Sequence, residues 1–338
     1  MSVNDFAHTD RYMKKTLGKI TCAALAAVSA LSLAACSTEI AESAFDHPLP
    51  WNDSSESYER LDFSVEVFNT QKNESLDKRV KIGNGAVSFV LNEGEAGGYT
   101  RIDTTFTLTY LNIDEAGIDA GLTDKVTSTV VFEPKSMAAK SMEKTVALAD
   151  RKDKPNLSYT VTADYFDSHK ATITYPVTNK TSTMSLSKNA CRDNEMMLYL
   201  ARAQSLSSSS STNFNMINIF DSFNTGEPVN YNISVTGTSE RSVDIGDWVK
   251  EFGIEKKDAD NEQGASYPVK CITTSLMINA TNHGPGYIIL FAKDSFKSGG
   301  KEHKKIPVKI DYDEYMSGKP YRHTMYTLTS CSFDKPQA

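Results

Sequence analysis

From residue 58 the chain alternates between apolar and polar side chains with a period of two. Leu61, Phe63, Val65 and Val67 fall on one side of an extended segment, with Asp62, Ser64, Glu66 and Phe68 on the other. That is the pattern of a strand with one buried face. It returns at 85–92, 99–111, 126–133, 144–149, 157–165, 169–177 and 181–187, then at 213–220, 228–237, 268–280, 286–293, 304–312 and 320–331. Gly94 with Gly97 and Gly98, Gly284-Pro285-Gly286 and Ser317-Gly318-Lys319 supply turns. Strands that are wet on one side predict antiparallel pairing.

Two stretches break the period. Over 193–206, Met196, Met197, Leu200, Ala203 and Gln204 recur at helical spacing behind Asn194 and Glu195 in the first turn, which predicts a helix. The two methionines fill a core or, as the sharper alternative, form an adaptable lid over an apolar ligand. Asp244 can cap a second, shorter helix carrying Ile245, Trp248, Val249 and Phe252 and stopped by Gly253. Ser205–Ser211 and the charged run Glu255–Gln263 read as solvated loops. The fold class is therefore α+β, mainly antiparallel β. Residues 126–148 and 306–328 echo each other as strand, short break and return strand, which leaves open a duplication into halves 58–190 and 207–333 joined by helix 193–206.

Upstream of this region the pattern is of another kind. Met13-Lys14-Lys15 and Lys19 open a basic segment, and Ile20–Leu33 is apolar or small without a charge. The run is too short to span a bilayer as a mature helix and reads as a signal peptide. It closes on Leu33-Ala34-Ala35-Cys36, a lipobox. This segment resembles the leaders of bacterial lipoproteins. The resemblance implies cleavage before Cys36, a diacylglyceryl group on its sulfur, and attachment to the extracytoplasmic face of a membrane in the bacterial cell envelope. Residues 1–12 carry acids where a leader wants bases, so translation is expected to start at Met13. Residues 1–35 are then leader, 36–57 a flexible tether holding Pro48 and Pro50, and 58–333 the β-rich domain.

The formal net charge is −7, and removing the leader takes away Arg11, Lys14, Lys15 and Lys19 but only Asp5 and Asp10, so the mature chain is more acidic still. That balance argues against nucleic acid as a partner. Outside the cytoplasm disulfides persist, and with Cys22 in the leader and Cys36 lipidated, Cys191, Cys271 and Cys331 remain. One bridge can form among three thiols. Cys271 with Cys331 is favoured because both lie in the C-terminal strand region.

No catalytic constellation emerges. G-x-S-x-G, the phosphate loop and the dinucleotide fingerprint are all missing from the chain. Ser141 with Lys144, and Ser185 with Lys188, have S-x-x-K spacing without a supporting K-T-G. His47, His169, His283, His303 and His323 are scattered singly, without zinc spacing, and Asp258, Asp260 and Glu262 lack the glycine of a calcium loop. No catalytic residue, metal ligand or cofactor is assigned.

The order of elements resembles an uncharacterised family of bacterial envelope proteins related in fold to the lipoprotein carriers LolA and LolB. The residues that carry it are Tyr58–Val67, the helix ending Tyr199-Leu200-Ala201-Arg202, the strand Val229–Val235, and Ile306-Pro307-Val308-Lys309-Ile310. It implies a strongly curved, unclosed, barrel-like sheet with one or two helices plugging its inner side, and an apolar space able to hold acyl chains. The expected function is non-enzymatic binding of a lipid, lipoprotein or other acylated ligand at the membrane to which Cys36 ties the chain. The alternative is a scaffolding module that meets protein or glycan through an exposed sheet face. Large polar and charged side chains filling the inner side would favour the alternative.

Overall fold

The computed structural model of the chain describes residues 58–69, 79–95, 97–111, 119–150, 158–188, 192–204, 211–217, 229–236, 241–255, 266–278, 286–316 and 319–336. The leader, Cys36, the tether, Cys191 and the serine loop lie outside these residues.

The alternating segments form β1 (Tyr58–Asn69), β2 (Val80–Glu95), β3 (Tyr99–Tyr110), β4 (Thr123–Phe132), β5 (Ala139–Ala147), β6 (Tyr159–Asp164), β7 (Lys170–Tyr175) and β8 (Lys180–Ser185). After the helical segment come β9 (Ser211–Met216), β10 (Val229–Val235), β11 (Arg241–Asp244), β12 (Pro268–Ile278) and β13 (Gly286–Ala292). The short β14 (Phe296–Ser298) and β15 (Lys301–His303), then β16 (Pro307–Met316) and β17 (Lys319–Ser332), complete the described strands. β11, β14 and β15 are too short, at three or four residues, to show a period in the sequence.

Fifteen strands share one curved, unclosed sheet. Its order is β8-β7-β6-β5-β4-β3-β2-β1-β17-β16-β13-β12-β10-β9, and β11 pairs with the other end of the β12 edge that β10 uses. Both parts of the sequence are meanders. They join at one seam, where the first and last strands pair from Arg60 opposite Ser332 to Asn69 opposite Arg322.

Directly opposed residues in a sheet point to the same side, so the register defines an inner face. β1 contributes Leu61, Phe63, Val65 and Val67, each at most 1% exposed. Opposite them on β2 stand Phe89, Val87, Gly85 and Gly83. The two glycines let β3 close in: a Cβ on Gly85 would lie 2.0 Å from the Thr107 carbonyl oxygen, and one on Gly83 would lie 2.8 Å from a Leu108 methyl. The Leu108 side chain fills the space beside Gly83, and the backbone at Thr107 fills that beside Gly85.

The expected helix over 193–206 is real but shorter. A single 3-10 turn, Asn194–Met196, runs into α1, Met197–Arg202. Asp193 caps it, its carboxylate accepting from the Glu195 N–H. The sequence placed one stripe toward the core, yet Leu198, Tyr199, Leu200, Ala201 and Arg202 are all buried, because the segment is enclosed on every side. The second expected helix is a 3-10 turn, Asp247–Phe252, closed as predicted by Gly253 at φ 79°. Its Phe252 meets Trp248, Phe296 and Phe333 in an aromatic cluster.

The expected Cys271–Cys331 bridge is not formed. Both thiols are free, on β12 and β17, with β13 and β16 lying between them in the sheet. Three strand spacings amount to about 14 Å, twice the reach of a disulfide. Burial pushes the Cys271 thiol up to about 12 and raises Cys331 as well, which disfavours the reactive thiolate in both.

Candidate ligand-binding face

The helical segment lies on the inner face, and polar side chains that interrupt the apolar rows of that face hold it there. Glu59 precedes Leu61 on the buried side of β1 and is 2% exposed. Its carboxylate receives both terminal nitrogens of Arg202, Nη2 at 3.0 Å, and Arg202 is fully buried. Nη2 also donates to the Lys304 carbonyl at 3.2 Å. Lys305, at φ 53°, turns its ammonium onto the carbonyls of Arg202 (3.3 Å) and Gln204 (2.7 Å). A cation is favourable at such a C-terminus.

The start of the segment is held by a second cluster. Lys144 lies between Met142 and Val146 on the inner side of β5, and its ammonium donates to Glu195 Oε1 at 2.6 Å. Ser128 on β4 donates to Glu195 Oε2 at 2.8 Å. Tyr165, just after β6, donates its hydroxyl to Asp193 Oδ2. The Glu195 N–H donates to Asp193 Oδ1 at 2.8 Å. Asp193 is fully buried. Burial pushes its carboxyl up to about 7, the Glu195 charge adds to this, and Tyr165, the Glu195 N–H and Lys144 oppose it. Burial alone would lower the Lys144 ammonium, but the adjacent Glu195 carboxylate outweighs that and leaves it raised. The backbone completes the attachment: Asn194 N donates to Ile217 O at 3.1 Å and Ile217 N to Arg192 O at 2.7 Å, which ties the segment to the end of β9.

Elsewhere the inner face is aromatic and half-buried. Phe106 belongs to the row Phe63, Val87, Phe106, Val126, Val146 and Tyr159, and Tyr175 lies 6.2 Å from Tyr159, ring to ring. Across the β1–β17 seam, Tyr326 stands opposite Val65, and Tyr312 and Tyr287 stack at 4.3 Å with planes 17° apart. These six rings are intermediate in exposure, whereas Val65, Val67 and Tyr110 between the two groups are buried. The face thus carries a polar, occupied region under the helical segment and a partly open aromatic region beside it. Tyr110 donates to Asp124 Oδ2 at 2.6 Å at the margin, and the other carboxylate oxygen caps the Ala149 N–H at 2.7 Å.

The residues screened for chemistry are not brought together. Ser141 and Lys144 lie three apart on one strand and so on opposite faces of β5: Ser141 pairs with Asp164 and Lys144 with Val161. Ser185 and Lys188 are both exposed. His303 is buried and stacks on Phe333 at 3.5 Å, which, through burial, lowers its pKa. His323 Nδ1 lies 2.7 Å from Asp313. Among the described residues no group of three or more His, Cys, Asp or Glu is placed to hold a metal ion, and no helix is long and apolar enough to cross a membrane.

The sequence reading gave Glu59 and Asp193 no role, took Lys144 only as the lysine of an S-x-x-K pair and Arg202 only as a helix end, and missed that these residues pair beneath the segment. A signal existed for two of them: Glu59 and Lys144 occupy inward positions of otherwise apolar alternation, where an unpaired charge could not stay.

These features define an antiparallel β protein built on one large open sheet, with β14 and β15 paired apart from it, whose inner face carries a bound-down helical segment. No known family pattern matches the chain, and no curated protein matches it. Solved structures with a similar course include a DUF1329 family protein from Desulfovibrio piger ATCC 29098, with 7% identity, a TM-score of 0.21, and 84% of this chain and 89% of that one covered. Another is a domain from Vibrio parahaemolyticus assigned to outer-membrane lipoprotein sorting, with 6% identity, a TM-score of 0.19, and 86% and 90% covered. Likeness at this level assigns neither family nor ligand.

Proposed function

We propose that the protein is a lipid-anchored component of the bacterial cell envelope that binds an acylated or otherwise apolar ligand, without catalysis, on the aromatic part of its inner face. The observation that carries the reading is the set of half-buried rings Phe106, Tyr159, Tyr175, Tyr287, Tyr312 and Tyr326 on a face that buries Leu61, Phe63, Val65 and Val67 and leaves Phe89 and Val126 half-buried as well. Rings with a polar tip suit a ligand that has one apolar and one wet end. The charged groups of that face pair with one another under the helical segment, as Glu59 does with Arg202 and Lys144 with Glu195. They therefore fasten the segment rather than form a charged docking surface, which favours ligand binding over scaffolding. The lipobox at Cys36 supplies the address, since two acyl chains hold a protein stably at a membrane.

Native mass spectrometry of the full chain, extracted in mild detergent and again after organic solvent, tests this. A co-purifying or exchangeable lipid that is lost in Tyr287→Ser/Tyr312→Ser is the expected result. If no lipid is retained from a total envelope extract, the reading fails.

A further inference from the structure

Asp193 and Glu195 stand two residues apart at the start of the helical segment, and both turn onto the inner face. The groups facing them are Tyr165 and Tyr159 from β6 and its end, Lys144 from β5, Ser128 from β4, and Asn194 beside them. Arg192 precedes Asp193, but its Nη2 donates to the Ser136 carbonyl at 2.9 Å. With both carboxyls ionised, one ammonium faces two carboxylates in a site where Asp193 is fully buried and Lys144 and Glu195 keep only a small exposed part, so like charges repel more than in water. A proton on Asp193 leaves Glu195 and Lys144 as a balanced pair.

We propose that Asp193 is an internal proton-binding site that latches the helical segment to the sheet, seated while Asp193 is protonated and loosened at the Asp193–Met196 end when it ionises. The carboxyl pushed up to about 7 agrees with this geometry. The far end stays fixed throughout, because Arg202 on Glu59 and Lys305 on the last carbonyls make contacts of their own. The proposal stands on the cluster and does not require the ligand reading.

The sign follows from linkage. A carboxyl raised in the folded state gives stability that is full below its unfolded value of about 4 and is lost as pH rises toward about 7. His303 runs the other way: its lowered folded value gives stability that is lost as pH falls through about 6.5. The readout is therefore the difference between wild type and Asp193→Asn, an isostere that cannot ionise.

Hydrogen exchange of the 194–201 amides in the full chain, corrected for intrinsic base catalysis, is followed from about pH 4.5 to about pH 8. Wild type is expected to lose protection by about tenfold per unit as pH rises toward about 7 and to level off above it, while Asp193→Asn shows no such loss. Parallel curves for the two proteins would overturn the proposal. Should Asp193→Asn fail to fold, isotope-edited infrared or carbon NMR of wild type decides instead: a buried aspartic acid still protonated near neutral pH supports the latch, and a fully ionised one overturns it.

Discussion

At the scale of single residues, the inner face holds charged pairs where apolar side chains would be the default. Burying Glu59 and Arg202 costs solvation, and the bidentate contact and the Lys304 carbonyl offset that cost. Their value shows best as a difference. Glu59→Gln leaves the Arg202 guanidinium buried and unmatched, and should lower stability by about 3–5 kcal/mol. Glu59→Leu/Arg202→Met, which removes both charges at similar volume, should recover most of that loss. Urea midpoints of the single and double variants check it; a double variant as weak as the single would mean that shape, rather than unmatched charge, sets the cost. The buried positions of Glu59 and Lys144 can be read from strand parity. Their partners cannot, because Glu59 and Arg202 are 143 residues apart.

At the scale of elements, strands were legible because their two faces differ so strongly. Read through the register, Ser88, Thr105, Thr127, Thr145, Thr160, Thr174 and Thr181 form one outward row from β2 to β8. The inward neighbours from β2 to β7 are mostly Val, Ile, Phe and Tyr, interrupted by Thr104, Ser128 and Lys144, and β-branched and aromatic side chains favour extended backbone. The helical segment was less legible. Its ends are fixed by Asp193, Lys305 and the bonds to Ile217, and its burial all round removes the one-sided stripe on which helix recognition depends. The close approach of β2 and β3 is similarly tertiary. Gly85→Ala must push a methyl into the Thr107 backbone, and should cost about 1–3 kcal/mol by overpacking. A thermal melt checks this, and an unchanged midpoint would show that the sheet yields there.

At the scale of the whole molecule, β1 is the seam. It pairs with β2 on one side and β17 on the other, so both meanders share its inner side chains. Phe63, 1% exposed, sits at that junction in edge-on contact with Phe89. Phe63→Ala should cost about 3–5 kcal/mol and reduce hydrogen-exchange protection in β3 and β16 together. A loss confined to one meander would mean that the halves unfold as separate units. The same seam places residue 58, where the tether is expected to end, at the centre of the sheet.

The sequence by itself determined most of the strands, their antiparallel character and the helix at its approximate place, and it carries the lipobox on which the proposed address rests. Each of these is written in neighbouring residues, through the two-residue alternation, turn glycines or a short motif. Only the tertiary structure decided that β1 pairs with β17, that Cys271 and Cys331 lie strands apart, and that Asp193, Glu195 and Lys144 share one buried site. Those facts depend on which face meets which between residues from about fifty to more than two hundred and fifty apart in the chain. Alternation fixes which side of a strand is buried but carries no information about what buries it.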